Sequence, residues 1–174
     1  MTFHTTYKPL IVIAALVVFF DQVTKIMVLN VVALNRTIEI IPGFLNITHI
    51  QNPGVAFGIF SQQPSSLKQF LLMGASLLAV CLIFYFYHKS IKASVMMMSA
   101  FALILGGAVG NLVDRIRFGR VIDFIDVHVG GVHWPSFNIA DSAISVGVAV
   151  ILFLVVFRQP DLMEREERHE SPED

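Results

Sequence analysis

Five carboxylates stand inside or between long apolar runs: Asp21, Asp114, Asp123, Asp126 and Asp141. A carboxylate in such company is costly to ionise, so each must be paired, hydrogen-bonded or protonated. Asp21 and Lys25 are four apart with the acid N-terminal, the favourable order for a pair on one helix face. They read equally as an ion pair that helps a helix insert and as polar groups facing a cavity. Asn111 and Arg115 repeat the four-residue spacing; taken alone, Arg115 is a snorkelling interfacial arginine. Asp123 and Asp126 lie in the strand-like "VIDFIDV", where residues three apart point to opposite faces, so only one can aim at a given site. In "FNIADSAIS", Asn138 suits a helix N-cap and Asp141 its third helical position, near the positive end of the macrodipole. On local physics Asp141 is a helix-start residue, with half of a catalytic pair as the alternative. A metal constellation is also open. If Gly130-Gly131 is a hairpin turn, His128 and His133 fall opposite each other, and Asp126 shares the face of His128. Two histidines and a carboxylate can make an open zinc site, although no H-E-x-x-H spacing is present. Two histidines at a membrane surface are the simpler account.

The elements that would carry these groups are apolar spans. Four runs, 10–29, 67–87, 95–113 and 139–157, are each near the ~20 residues that cross a bilayer as a helix. The first resembles a secretory signal peptide, but no small-x-small cleavage site follows, and "DQVTKIMVL" leads back into apolar sequence. It is expected to remain as a spanning helix. The second ends in "FYFYHK", an aromatic and basic interfacial signature. Gly106 and Gly110 in the third make a small-xxx-small ridge for close helix packing. Between spans one and two, "NRTIEIIPGFLNITHIQNPGVAFGIFSQQPSS" alternates in part and is broken by Pro-Gly pairs, which predicts short strands with turns.

Composition agrees with a membrane protein: 55% of the 174 residues are hydrophobic and 14% charged, with a mean hydropathy of +0.71. Four spans put both termini on one side. The loops there hold the denser Lys and Arg, which places the termini in the cytoplasm. Seven of the thirteen acids fall in the last fourteen residues, and that tail, within 158–174, reads as a solvated or disordered end. The single cysteine, Cys81, permits no internal disulfide. With no internal repeat or low-complexity linker, residues 1–174 read as one membrane domain.

Four motifs, in order along nearly the whole chain, closely resemble those of bacterial prolipoprotein signal peptidase, also called signal peptidase II. "DQVTK" supplies Asp21 and Lys25, and "QNPGVAFGIF" supplies Asn52, Gly54, Ala56 and Phe57. "GGAVGNLVDRIRFGRVIDFIDV" supplies Asn111, Arg115 and Asp123, and "FNIADSAI" supplies Asn138 and Asp141. The resemblance implies a four-helix integral membrane fold with a small extracytoplasmic β-rich cradle. It also implies an aspartic endopeptidase whose catalytic residues are Asp123 and Asp141, leaving Asp114 and Asp126 outside the pair. Asp21, Lys25, Asn52, Gly54, Asn111, Arg115 and Asn138 would bind substrate or support the site. The implied substrate is a diacylglyceryl-modified prolipoprotein in the bacterial inner membrane, cut just before the lipid-modified cysteine. The active site would lie near the extracytoplasmic face. No cofactor or metal is expected. Partners would be substrate and membrane lipid, with no nucleic acid, and the chain would act as a monomer.

Two other readings make different predictions. A metal-dependent membrane hydrolase would use His128, His133 and Asp126 and fail with a chelator. A small transporter would line its path with Asp21 and Lys25.

Overall fold

A computed structural model of the chain describes residues 3–53, 66–90 and 94–158. Helix α1 (Phe3–Val31) leads into strands β1 (Thr37–Ile41) and β2 (Leu45–Asn52). Helices α2 (Ser66–Lys89) and α3 (Val95–Phe118) follow, then β3 (Val121–Val129), β4 (Val132–His133) and α4 (Ile139–Arg158). All four helices contain stretches long and apolar enough to cross a membrane. Their outward faces are apolar, with Ile11, Phe70, Leu152 and Val156 exposed. The interior instead holds Asp21, Lys25, Asn111, Asp114 and Asn138. That inversion is what a hydrocarbon solvent demands: apolar groups outward, polar groups paired within.

Helix α3 is the hub, packed against α1, α2 and α4. Its glycines explain how closely. A Cβ on Gly106 would stand 2.7 Å from Val17 Cβ of α1, and one on Gly107 would stand 2.3 Å from the Ala140 carbonyl oxygen of α4. The expected ridge of Gly106 and Gly110 is therefore joined by Gly107, which alone of the three admits the first turn of α4 against backbone.

Helix α3 runs five residues beyond the expected end at 113, so Asp114 and Arg115 lie within its last turns. Both are tolerated there because Asp114 is paired internally with Lys25. Gly119 then stops the helix in the left-handed conformation (φ 68°), its N–H bonded to the Arg115 carbonyl. The chain enters β3 two residues later.

The strands form one antiparallel series in the order β1-β2-β3-β4. Gly130 and Gly131 both take positive φ, 58° and 82°, as a two-residue type I′ hairpin requires. His128 and His133 face each other across it. Past β4 the chain returns along β3. The Phe137 carbonyl accepts from Phe124 N and Ile125 N at 3.0 and 2.8 Å, and Phe137 N donates to the Ile125 carbonyl at 3.1 Å. This clip sets Asn138, the next residue, beside Asp123. Val28, Val32 and Phe124, with Ile47, Ile125 and Ile139 against them, pack the sheet onto the adjoining ends of α1 and α4. Both strand-bearing segments join helix ends on the same side of the bundle.

Candidate functional site

Asp141 is placed by helix capping. The Asn138 side-chain oxygen accepts from Asp141 N at 2.9 Å, and Asp141 Oδ2 accepts from Asn138 N at 3.3 Å, a reciprocal box around the start of α4. Asp141 Oδ1 accepts from Asn111 Nδ2 of α3 at 2.8 Å. Asn111 is itself oriented. Its Oδ1 faces Lys25 Nζ at 3.1 Å, and because an ammonium only donates, the amide nitrogen must be the atom turned to Asp141.

Asp123 is placed by the sheet. Its Oδ1 accepts from Asn138 Nδ2 at 2.7 Å and its Oδ2 from Asn52 Nδ2 of β2 at 3.1 Å. Asn138 Nδ2 also lies 3.3 Å from Asn111 Oδ1 and from the Ile122 carbonyl. Four amide donors thus converge on two carboxylates, and Asn138 serves both. Burial pushes the Asp123 carboxyl up to about 7, and the neighbouring Asp141 charge adds to the rise; the bonds from Asn52 and Asn138 and the Lys25 charge oppose it. A carboxyl pair in which one partner keeps its proton near neutrality can deprotonate a water and donate to an oxyanion in the same step.

Arg115 lies close enough to Asp141, Asp114 and Asp123 to interact with all three charges, and its Nη1 donates to the Asn111 carbonyl at 3.3 Å. A cavity of about 340 Å³ opens between α2 and α3, with Asn52, Pro53, Gln69, Phe70, Arg115 and Arg120 among its walls. It meets the carboxylates through Asn52 and Arg115 rather than directly. Gly54, Ala56 and Phe57 lie outside the described residues, as does the acidic tail beyond Arg158.

Among the described residues Asp21 and Lys25 are enclosed and line no open path. They are 0% and 2% exposed and joined at 2.8 Å. Asp126 turns away from Asp123, as their odd spacing on β3 requires. It bonds Asn46 Nδ2 at 2.8 Å and His133 Nδ1 at 2.8 Å, while the His128 and His133 rings stack with centroids 4.7 Å apart. Among the described residues no three His, Cys, Asp or Glu side chains converge to hold a metal ion. The sequence marks Asp114 as a carboxylate that needs a partner without showing which, and it gives Gln22 no role. Asp114 is fully buried beside Lys25, and Gln22 Nε2 reaches Asp21, Asp114 and the Gly110 carbonyl. Helical spacing held a signal for Asp114, which lies four residues after Gly110 and three after Asn111.

The family model for signal peptidase (SPase) II matches residues 13–157. The chain belongs to the signal peptidase II family. It is thus an aspartic-type peptidase, and its lineage covers both the helices and the sheet. The lipoprotein signal peptidase of Syntrophus aciditrophicus is 49% identical over 152 residues, covering 86% of this chain and 92% of the relative. That of Desulforapulum autotrophicum is 40% identical over 154 residues, covering 88% and 95%. The Staphylococcus aureus protein is 38% identical over 156 residues, covering 90% and 93%. Two solved structures of a bacterial membrane enzyme share the fold. One gives a TM-score of 0.74 at 33% identity, covering 95% of this chain and 93% of its own. The other gives 0.73 at 36% identity, covering 85% and 92%. A multi-pass inner-membrane protein follows from the family and the four spans.

Proposed function

We propose that this signal peptidase II cleaves diacylglyceryl-modified prolipoproteins just before the lipid-modified cysteine, using Asp123 and Asp141 as the catalytic pair. The observation that carries the reading is Asn138, whose side chain holds Asp123 and whose backbone N–H holds Asp141 at the lip of a spanning helix. We assign the shared proton to Asp123, whose carboxyl is raised by burial and by the neighbouring Asp141 charge. Asp141 then takes a proton from a water lodged between the two, and that water attacks the scissile carbonyl. Asp123 donates its proton to the developing oxyanion. On collapse Asp141 gives its proton to the leaving nitrogen as the C–N bond breaks. Asp123 takes back a hydroxyl proton from the gem-diol as the carbonyl re-forms, which restores the one-proton pair. Asn52, Asn111 and Asn138 hold the carboxylates. Arg115 brings positive charge to the site, where little water is available to supply it.

The site's position suits the substrate. Lipid tails can stay in the bilayer while the peptide bond reaches water at the start of α4. The termini are assigned to the cytoplasm and the sheet to the extracytoplasmic side, with one chain sufficient for catalysis. The test is incubation of purified protein with a lipid-modified precursor beside an unmodified control. Cleavage of the modified precursor alone is expected; equal cleavage of both would refute the substrate assignment.

A further inference from the structure

Behind the two aspartates lies a second, wholly buried set of charges. Asp114 Oδ2 accepts from Ile122 N at 3.1 Å, and Asp21 Oδ1 accepts from Ala140 N at 3.0 Å. Each of those N–H groups belongs to the residue immediately before one member of the pair, Ile122 before Asp123 and Ala140 before Asp141. Lys25 Nζ stands between the two carboxylates, 2.8 Å from Asp21 Oδ2 and 2.8 Å from Asp114 Oδ2. Gln22 Nε2 bonds both acids as well, at 3.1 and 2.9 Å. The cluster therefore ties α1, α3, β3 and α4 together at one point.

Its geometry exceeds what stability alone asks. A buried ion triad is commonly no more stabilising than apolar residues of the same volume. A hydrogen bond from a backbone N–H to a charged carboxylate, by contrast, is strong and directional, and fixes where that backbone lies. Helix α3 keeps room for the arrangement, since a Cβ on Gly110 would fall 2.7 Å from Asp21 Oδ2.

We propose that Asp114 and Asp21 are positioning residues which, with Lys25 between them, set the separation of Asp123 and Asp141 by holding the N–H groups of Ile122 and Ala140. This rests on the reading of Asp123 and Asp141 as the catalytic pair. Asp114 acts on β3 and Asp21 on α4. The ammonium shared between them makes the two placements one.

Asp114→Ala is the decisive variant, because Lys25 and Asp21 remain as a balanced pair and the interior keeps no uncompensated charge. Asp114→Asn retains an oxygen that can accept from Ile122 N while losing the bond to Lys25 as an ion pair. Steady-state cleavage of a lipid-modified precursor, with thermal unfolding in detergent alongside, reads both. The expected result is a kcat about a hundredfold lower in Asp114→Ala and about tenfold lower in Asp114→Asn, the scale of a small misplacement of reacting groups. KM should stay within about twofold of wild type in both. A kcat within twofold of wild type in Asp114→Ala overturns the proposal. So does equal activity in the two variants, or loss of the thermal transition in both, since the cluster would then serve folding only. Asp123→Asn in the same assay keeps the two ideas apart. If Asp123→Asn still cleaves, the catalytic assignment falls. If it is inactive while Asp114→Ala is normal, only the positioning role falls.

Discussion

Asn138 Nδ2 lies 2.7 Å from Asp123 Oδ1, while the Asn138 backbone N–H is turned to Asp141. One residue thereby fixes a strand carboxylate and a helix carboxylate in a common frame. Asn138→Ala removes the helix cap and the Asp123 bond together. It should cost about 1 kcal/mol of stability from the cap, and lower cleavage by about 10²-fold or more through misplacement. Thermal unfolding and kcat measured on one preparation check both; a variant that loses stability but keeps its kcat contradicts the frame.

The Asp123 carboxyl gives a pH dependence with a definite sign. Its value rises from 3.8 to about 7 on folding, so the folded state binds the proton more tightly than the unfolded chain. The associated stability is complete below pH 3.8 and is lost as pH climbs through about 7. The loss is on the order of 4 kcal/mol. The wild-type thermal midpoint should fall between about pH 4 and 8, and Asp123→Asn should remove most of that slope. Activity should decline as well when the shared proton leaves above about pH 7. A kcat/KM flat from pH 6 to 9 speaks against the assignment.

Two glycines separate close packing from mere helix content. Gly107→Ala places a Cβ 2.3 Å from the Ala140 carbonyl and must push the first turn of α4, with Asp141, off α3. A loss of about 1–3 kcal/mol and a reduced kcat are expected. Gly74 in α2 has nothing within 4 Å of its added Cβ. Gly74→Ala should raise stability by about 0.5–1 kcal/mol with cleavage unchanged. Equal behaviour of the two variants in thermal unfolding would refute the packing argument.

The metal alternative is tested by His133→Ala and by a chelator. His133 bonds Asp126 across the exposed end of β3, and its loss should leave kcat within about twofold of wild type. Dialysis against a chelator should have no effect on precursor cleavage. Abolition of activity by either treatment would restore the metal reading.

What could be read in the sequence was local. The Asn138 cap with Asp141 three residues on, and the Gly130-Gly131 turn that pairs His128 with His133, follow from backbone rules spanning a few residues. The four spans follow from length and apolarity. The approach of Asp123 to Asp141 depends on the clip between Phe137 and Ile125, a long-range contact that no spacing encodes. It was indicated by the motif resemblance alone. The role of Asp114 is not legible in the sequence because its partners come from another helix, 89 positions upstream at Lys25, and from a strand eight residues on. Helix α3 extends past the expected end at 113 for the same reason: charge of interfacial type is neutralised inside the bundle.

The proposed mechanism rests above all on the two carboxylates. The direct measurement is cleavage of a lipid-modified precursor by purified Asp123→Asn and Asp141→Asn, each shown to keep a thermal transition in detergent. Both variants should lose at least about 10³-fold in kcat, since a single remaining carboxylate cannot serve as acid and base in one turnover. Substantial cleavage by either folded variant would contradict the catalytic pair.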